Sequence, residues 1–371
     1  MPALTALDLP GGPPFVDALQ RIWDRGDAAF PVDRRLPAAA RAQVLAAMRP
    51  ATVVSSDGEA PWTGSEAEPV AAGDALVIAT SGSTGEPKGV VLTHDALAAH
   101  ARAVHERLAL APSTDRWFAC LPLVHMGGLG VVVRALVGGV GLDVVGALDP
   151  AVVASAPGEL GSTLTSLVPT ALDRIDASGY RWIVLGGAAD PAERAANVVR
   201  TYGLTESGGG VVYDGRPLPG VEVRIAGGEV QLRGPTLLRA YRDGRDPRTA
   251  DGWLPTGDLG ELRDGALVVH GRRDDMIVTG GENVWPAAVE AVLERLPSVR
   301  DAAVVGRPDD EWGQRVVALV VPADPSSPPT LDDLRATVRA DLGAAAAPKE
   351  LELVDHLPRT ALGKLRRDDL R

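Results

Sequence analysis

Short apolar runs alternate with amphipathic stretches along the first two thirds of the chain. The run ALVIAT at 75–80 predicts a buried strand. A helix capped by Thr93 is predicted by apolar residues that share one face: Leu97, Ala101, Val104 and Leu108. The predicted order here is therefore strand, glycine-rich loop, helix. Further buried strands are predicted at 117–123, 142–146, 163–169 and 181–187, a pattern typical of an α/β fold.

The pattern changes after residue 220. Alternating positions around a central Gly-Gly in 221–242 predict antiparallel hairpin strands, so the sheet should be mixed. After 271–275 the alternation of elements starts again. A helix at 286–296, strands at 302–306 and 315–322, a linker at 324–329 and a helix at 331–342 are predicted there. We therefore expect a large N-terminal α/β domain with mixed sheets, 1–273, and a small, mobile C-terminal α+β domain, 274–371. Before residue 75 only two helices are predicted, at 15–23 and 37–48.

Composition and charge narrow the class of protein. The 371 residues are 45% hydrophobic, which suffices for two or more ordinary cores. No apolar run could span a bilayer and the first residues lack the features of a signal peptide, so we expect a cytoplasmic protein without membrane insertion. The single cysteine, Cys120, cannot form an internal disulfide. The net charge of −12 argues against nucleic acid as a partner but allows a local basic pocket for a phosphorylated ligand.

Lysine is scarce in this chain. Only Lys88, Lys349 and Lys364 are lysines, and arginine occupies every other cationic position. Because an ammonium is a compact charge and a guanidinium a wide planar fork, we interpret a remaining lysine as a site where arginine would not serve. Random drift is the alternative interpretation.

The segment TSGSTGEPKG contains the first of these lysines. Consecutive small residues can point backbone N–H groups at an anion, and their hydroxyl groups add donors toward phosphate oxygens. The order differs from the Walker pattern, because Glu86 and Pro87 separate Gly85 from Lys88 and Gly89 follows it. Taken alone, the segment predicts either a phosphate-binding loop or a plain turn.

Residues 80–94 resemble the signature loop of the adenylate-forming enzymes, the superfamily of acyl-CoA synthetases, peptide-synthetase adenylation domains and firefly luciferase. The resemblance covers 75–370, because it recurs in order at LPLVHMGGLG, GGA, TYGLTES, DGWLPTGD, GRRDDMIVTGGENVWPAAVE and PRTALGKLRRDDL. It implies activation of a carboxylic acid by ATP and Mg2+, followed by transfer of the acyl group to a thiol. The GGEN form of the fifth motif indicates CoA, with a carrier-protein thiol as the alternative.

The resemblance implies a role for each matching residue. The ATP phosphates would contact Thr80, Ser81, Gly82, Ser83, Thr84, Gly85 and Lys88. Gly187 would lie at both the nucleotide and the acyl group, with Tyr202 stacked on adenine beside Gly203. Thr205 would contact phosphate, and Glu206 would bind magnesium. Asp258 and Arg272 would hold the ribose. Taken alone, Glu206 is typical of a solvated surface acid and Asp258 of a turn cap.

Four further roles concern the acyl transfer. Lys364 would be the mobile catalytic lysine that bridges the carboxylate and the α-phosphate, Asp274 the hinge, and Gly280 and Gly281 the lining of the thiol tunnel. His125 would be the gate between the acyl pocket and that tunnel. By position alone, Lys364 is typical of an exposed tail and His125 of a core histidine.

The short segment before the glycine-rich loop and the stretch TYGLTESGGGVVYDGRPLPGV resemble the o-succinylbenzoate–CoA ligases of menaquinone biosynthesis, in their short actinobacterial form. Arg134 lies in a run that predicts an apolar buried helix, where an unpaired guanidinium is costly. The second carboxylate of o-succinylbenzoate would pair with it. An internal salt bridge to Asp or Glu is the alternative.

One departure from the family pattern bears on activity. Only 191–200 separate GGAAD from TYG, so about ten residues are absent by comparison with the longer family pattern of helix and strand. We therefore keep three alternatives: a CoA ligase for another aryl or medium-chain acid, a nucleotide-binding protein without turnover, and an enzyme that stops at the acyl-adenylate. The sequence also leaves a homodimer open.

Overall fold

The computed structural model describes residues 1–81, 87–187, 194–359 and 365–370. The chain forms two compact units. The first contains Met1–Gly186, Arg194–Val223 and Leu232–Pro255; the second contains Gly187–Glu193, Arg224–Gln231 and Thr256–Arg371. The predicted domain boundary after residue 273 falls inside the second unit, between two of its strands. That the C-terminal domain moves as a body beginning at residue 274 stays a prediction.

The elements are numbered along the chain. The helices are α1 Pro13–Asp24, α2 Ala38–Met48, α3 His94–Arg107, α4 Met126–Gly138, α5 Pro150–Glu159, α6 Pro169–Leu172, α7 Pro286–Leu293 and α8 Leu331–Leu342. The strands are β1 Leu4–Asp8, β2 Ala28–Pro31, β3 Thr52–Ser55, β4 Gly58–Pro61, β5 Asp74–Ser81, β6 Pro87–Thr93, β7 Arg116–Ala119, β8 Gly141–Val144, β9 Leu164–Leu167, β10 Trp182–Leu185, β11 Val198–Leu204, β12 Gly209–Tyr213, β13 Arg216–Pro217, β14 Glu222–Ala226, β15 Glu229–Arg233, β16 Ala240–Tyr241, β17 Leu254–Arg263, β18 Ala266–Arg272, β19 Ile277–Thr279, β20 Glu282–Val284, β21 Val299–Asp309, β22 Gly313–Pro322 and β23 Glu350–Leu353.

The first sheet has the order β16-β6-β5-β2-β1-β3-β4 and is mixed, with parallel strands in the middle and antiparallel strands at both edges. Four of its strands come from the segment before residue 74, where the sequence predicted only helices. The helices at 15–23 and 37–48 are confirmed. The strands were missed because β1 and β2 are short and buried on both faces, so they show no alternation, and β3 and β4 carry few apolar residues.

The predicted order strand, loop, helix is wrong in one respect. A second strand, β6, follows the glycine-rich segment and pairs antiparallel with β5, and only then does α3 begin. The β-branched pair Val90-Val91 favours the strand, and the cap at Thr93 is confirmed because its hydroxyl oxygen accepts a hydrogen bond from the Ala96 N–H at 3.1 Å. The loop therefore connects two strands.

The second sheet has the order β13-β12-β11-β10-β9-β7-β8, and the strands from β8 to β11 are parallel. The four strands predicted at 117–123, 142–146, 163–169 and 181–187 are confirmed, but each ends two to four residues earlier than predicted. Three of them are buried as predicted, whereas β8 at the edge of the sheet is only half-buried. Proline or glycine follows each of them within three residues, at Pro122, Gly146, Pro169 and Gly186, and these residue types disfavour continuation of a strand. Two residues predicted at the candidate site, His125 and Gly187, lie in the segments that follow β7 and β10.

The predicted hairpin is confirmed as β14 and β15, which join through Gly227 and Gly228 with φ values of 58° and 81°. These strands form a four-stranded sheet, β14-β15-β17-β18. The last part of the predicted hairpin segment forms β16, which pairs with β6 in the first sheet instead.

The end of the second unit folds around its own core. β19 to β23 form the last sheet, and α7 and α8 pack on one face of it. The helix predicted at 331–342 is confirmed with a capping box between Thr330 and Asp333, whereas the helix predicted at 286–296 ends at Leu293. None of the helices in the described ranges combines the length and the apolar character needed to cross a membrane.

Candidate active site

The two ends of the glycine-rich loop lie opposite each other. Thr80 near the end of β5 pairs with Lys88 at the start of β6, and the Thr80 hydroxyl lies 3.4 Å from the Lys88 carbonyl oxygen. This pairing fixes where the lysine leaves the sheet. The predicted phosphate contacts Gly82, Ser83, Thr84 and Gly85, and the side chain of Ser81, lie outside the described part of the chain.

The TYGLTES motif forms the end of β11 and a 3-10 turn at Thr205–Ser207. Gly203 must be glycine, because a Cβ there would lie 2.0 Å from the carbonyl oxygen of Gly209. The buried Ser207 hydroxyl accepts from the Leu204 N–H at 2.9 Å and lies 2.8 Å from the Gly209 carbonyl oxygen. The Ser207 side chain therefore stabilises the turn from its buried side. Glu206 is the middle residue of this turn, and Tyr202 and Thr205, which precede it in the same motif, are half-buried.

Glu206 and Lys88 both contact Tyr241 of β16, a residue that the sequence analysis did not single out. The Tyr241 hydroxyl donates to Oε1 of Glu206 at 3.0 Å, and the Lys88 ammonium lies 5.9 Å from the centre of the tyrosine ring. Burial and the neighbouring Glu206 carboxylate raise the pKa of Tyr241. The phenol therefore stays protonated and can donate to the carboxylate.

The side chains around Glu206 fit a magnesium site that is completed by phosphate oxygens and water, and they do not fit a site in which protein side chains supply every ligand. No cluster of three His, Cys, Asp or Glu side chains able to hold a metal occurs within the described ranges. Magnesium in nucleotide sites is held by one or two carboxylates together with phosphate oxygens and water. The single half-buried Glu206, which shares the neighbour Tyr241 with Lys88, meets that requirement.

Asp258 and Arg272 are brought together in the second unit. They are direct partners across β17 and β18, with 3.5 Å between a guanidinium nitrogen and a carboxylate oxygen. The same guanidinium donates to the Thr256 carbonyl oxygen at 2.7 Å, and the Asp258 N–H donates to the Thr256 hydroxyl at 3.1 Å. Asp258 is 8% exposed. This pair supplies an acceptor and a donor side by side, as recognition of a diol requires. Gly187, the first residue of the second unit, has a φ of 93°.

His125 directly precedes α4 and is half-buried. Its Nε2 lies 3.1 Å from a guanidinium nitrogen of Arg35, and Asp33 holds that guanidinium with two hydrogen bonds of 2.8 and 2.7 Å. Burial and the Arg35 charge lower the pKa of His125, while Asp33 opposes them. Arg35 and Asp33 could not be predicted as neighbours of His125, because no local motif connects them to it and Arg35 lies 90 positions away in the chain.

Arg134 lies in α4 as predicted and is 4% exposed. Its guanidinium stacks on the Trp117 ring at 4.6 Å and donates to the Ser166 hydroxyl at 3.1 Å, while its Nε has no partner among the described residues. The alternative of an internal salt bridge is wrong for the described residues, none of which brings a carboxylate to it. The core around α4 supplies an aromatic ring and a hydroxyl instead. Burial lowers the pKa of Arg134, because the charged form of a group removed from water is disfavoured.

The remaining predicted residues lie in the second unit. Gly280 and Gly281 form the turn between β19 and β20 with φ values of 59° and 83°, and a Cβ on Gly280 would lie 2.8 Å from the Trp312 ring. Lys349, the lysine without a predicted role, lies 4.3 Å over the same ring. Asp274 is in the 3-10 turn Arg273–Asp275. Lys364 lies outside the described residues.

The fold and these motifs define the class of protein. Residues 55–242 match the AMP-binding enzyme family, and residues 288–364 match the AMP-binding enzyme C-terminal domain. The chain belongs to the AMP-binding enzyme family.

Individual relatives have names that state a particular activity and not only a family. The chain is 43% identical over 324 residues to a protein of Mycobacterium tuberculosis named probable 2-succinylbenzoate–CoA ligase, covering 79% of this chain and 82% of the relative. It is 35% identical over 345 residues to the indoleacetate–CoA ligase of Aromatoleum aromaticum, covering 80% of this chain and 66% of that relative. Among solved structures it is similar to the o-succinylbenzoate CoA synthetase (MenE) of Bacillus subtilis in complex with the acyl-adenylate intermediate OSB-AMP. That match has a TM-score of 0.88 at 26% identity and covers 100% of this chain and 88% of the other.

Proposed function

We propose that this protein is an AMP-forming acid–CoA ligase that converts 2-succinylbenzoate to 2-succinylbenzoyl-CoA through an acyl-adenylate, as a step of menaquinone biosynthesis. The observation that carries the choice of acid is Arg134, a buried guanidinium without a carboxylate partner among the described residues. A dicarboxylic acid activated at one end offers its second carboxylate to this charge, and a monocarboxylic acid does not. The names of the Mycobacterium tuberculosis and Bacillus subtilis relatives support the same substrate.

In the first half-reaction a carboxylate oxygen attacks the α-phosphorus of ATP and pyrophosphate leaves. The barrier comes from bringing two anions together, so the site needs cations and aimed donors more than an acid or a base. Lys88 and the glycine-rich loop would hold the outer phosphates, Thr205 would contact phosphate, and Glu206 would hold magnesium. The bound ion would neutralise phosphate charge. Lys364 would bridge the carboxylate and the α-phosphate.

The nucleoside would be held by separate elements. Tyr202 would stack on adenine beside Gly203 and Gly187, and the Asp258–Arg272 pair would hold the ribose hydroxyl groups. The half-exposed guanidinium of Arg272 and the buried carboxylate of Asp258 supply complementary hydrogen-bonding groups for this role.

In the second half-reaction the CoA thiol attacks the acyl carbon and AMP leaves. We propose that a turn of the C-terminal domain about Asp274 separates the two half-reactions, with Gly280 and Gly281 lining the thiol path and His125 at the gate. We further propose a cytoplasmic enzyme whose partners are small molecules and not nucleic acid. Light scattering tests the homodimer that the sequence leaves open.

The experiment is pyrophosphate release with ATP and magnesium across a panel of acids, with and without CoA, and mass detection of the product. The panel contains 2-succinylbenzoate, indoleacetate, benzoate and hexanoate. Fast release with 2-succinylbenzoate and a 2-succinylbenzoyl-CoA mass supports the proposal. If only another acid is converted to its CoA thioester, the protein is an acid–CoA ligase but 2-succinylbenzoate is not its substrate. If pyrophosphate is released whether or not CoA is present and no thioester forms, the enzyme stops at the acyl-adenylate. ATP binding without pyrophosphate release for any acid indicates a protein without turnover.

A further inference from the structure

We propose that Tyr241 is a positioning residue of the ATP site: its hydroxyl orients Glu206 for magnesium, and its ring supports the ammonium of Lys88. No motif of the sequence marks this residue. The inference rests on the proposed role of Glu206 as the magnesium ligand, and the experiment below separates the two.

The backbone around Tyr241 connects the two elements that carry Glu206 and Lys88. The Leu238 N–H donates to the carbonyl oxygen of Glu206 itself at 2.7 Å. On the other side, Ala240 and Tyr241 pair antiparallel with Val91 and Val90 of β6, two residues beyond Lys88. A single short strand thus fixes the distance between the 3-10 turn and the phosphate-loop strand.

The residues on both sides of Tyr241 hold this strand rigidly. Arg239 makes two hydrogen bonds to the buried Asp74 carboxylate, of 2.7 and 2.9 Å. Arg242 is 9% exposed and donates to the carbonyl oxygens of Met48, Pro69 and Glu68. A buried guanidinium that donates to three backbone carbonyl groups of other segments leaves little freedom to the backbone that carries it. Tyr241 therefore projects from a fixed point.

The side chain has two separable functions. The hydroxyl occupies one lone pair of Oε1 of Glu206 and so selects a carboxylate orientation before any ion binds. The ring lies within cation–π range of Lys88 Nζ at 5.9 Å and of the Arg245 guanidinium at 5.0 Å. Phenylalanine would keep the ring and remove the hydroxyl, whereas leucine would remove both.

The test uses the full chain and the probe Mn2+, whose binding in the presence of a non-hydrolysable ATP analogue is followed by electron paramagnetic resonance. The variants are Tyr241→Phe, Tyr241→Leu and Glu206→Gln. Tyr180→Phe is the matched control, because it also removes a hydrogen-bonded tyrosine hydroxyl, which donates to the Val153 carbonyl oxygen at 2.8 Å in another part of the first unit. Thermal unfolding verifies that each variant is folded.

We expect Tyr241→Phe to weaken Mn2+ binding by about tenfold, the effect of losing an outer-shell partner of a metal ligand. Tyr180→Phe should bind Mn2+ as the unmodified protein does. Tyr241→Leu should in addition weaken binding of the ATP analogue in the absence of metal, because Lys88 loses its ring. In Glu206→Gln, adding Tyr241→Phe should weaken Mn2+ binding no further.

If Tyr241→Phe binds Mn2+ as tightly as the unmodified protein while Glu206→Gln binds it more weakly, the positioning role of Tyr241 is refuted. The proposed function is unaffected by that outcome. Unchanged binding in Glu206→Gln would refute both the magnesium role of Glu206 and the inference. Unchanged analogue binding in Tyr241→Leu would refute the support of Lys88.

Discussion

A guanidinium nitrogen of Arg35 lies 3.1 Å from Nε2 of His125, and Asp33 holds the same guanidinium from the other side. A guanidinium can only donate hydrogen bonds, so Nε2 must accept and the ring proton must reside on Nδ1. This contact favours the neutral ring with its proton on Nδ1, in agreement with the lowered pKa of His125.

Arg35→Ala should raise the pKa of His125. The pKa is lowered by burial and by the Arg35 charge, and the substitution removes the second of these causes and leaves Asp33, which acts in the opposite direction. NMR titration of the His125 ring measures the change directly. Arg34→Ala is the control, because Arg34 faces Asp8 instead. A His125 pKa that stays the same in Arg35→Ala would contradict the contact.

The free energy of unfolding of the first unit should fall as the pH drops below 6.5. Burial, followed by the charge of Arg134, lowers the pKa of His100 to about 3 and that of His105 to about 4. The unfolded chain therefore binds protons at these two residues that the folded chain does not, so their contribution is present above the unfolded pKa and is lost as the pH falls.

Urea unfolding at pH 7.5, 6 and 5 measures this loss. His100→Gln, which retains a donor for the Gly210 carbonyl oxygen, should make the pH dependence shallower by about 1.4 kcal/mol per pH unit between 6 and 5. The same substitution at the exposed His356 serves as the control and should leave the slope as it is. Equal slopes for both variants would exclude His100 as a source of the dependence.

Arg134→Ala should raise KM for 2-succinylbenzoate by about 10- to 100-fold, the value of a charge-assisted hydrogen bond to a carboxylate. A monocarboxylic analogue lacks the second carboxylate, so its KM should change much less. Arg134→Met, which fills more of the space on Trp117, separates the loss of charge from the loss of packing. Equal effects on the two acids would show that the guanidinium does not recognise the second carboxylate.

Lys364→Ala should reduce adenylation about 100- to 1,000-fold, because a donor that stabilises developing charge is lost. Thioester formation from supplied acyl-adenylate should be reduced far less, since the α-phosphate has already reacted. Single-turnover measurements of the two half-reactions distinguish these effects, with Lys349→Ala as the matched lysine control. An equal loss in both half-reactions would contradict the assigned role.

Contiguous motifs were the part of the candidate site that could be recognised in the sequence. Asp258 and Arg272 were predicted to hold the ribose together, and Thr80 and Lys88 were predicted to lie in one loop. Both sets prove to be partners across neighbouring strands, and their ligand-binding roles stay predictions. Each of these residues belongs to a motif that is visible locally. The loop between β5 and β6 was nevertheless assigned the wrong second element, because glycine and proline mark a turn but do not distinguish a strand from a helix as the next element.

Contacts between segments that are distant along the chain could not be predicted from the sequence. Tyr241 reaches Glu206 across 35 positions and Arg35 reaches His125 across 90, and neither residue stands in a motif. The partners of Arg134 illustrate the same limit. Burial of the guanidinium followed from its apolar helix, whereas the choice of a tryptophan ring and a serine hydroxyl over a carboxylate depends on how the second sheet packs beneath that helix.

The position of β1 and β2 bears on how this protein can be divided for laboratory work. The matched family region begins at residue 55, yet these two earlier strands lie between β5 and β3 in the first sheet. A fragment expressed from residue 55 would leave β5 with an open, apolar edge that invites self-association. It would also lack Met48, one of the carbonyl partners of Arg242. Any expression clone intended for crystals or assays must therefore retain the opening 54 residues.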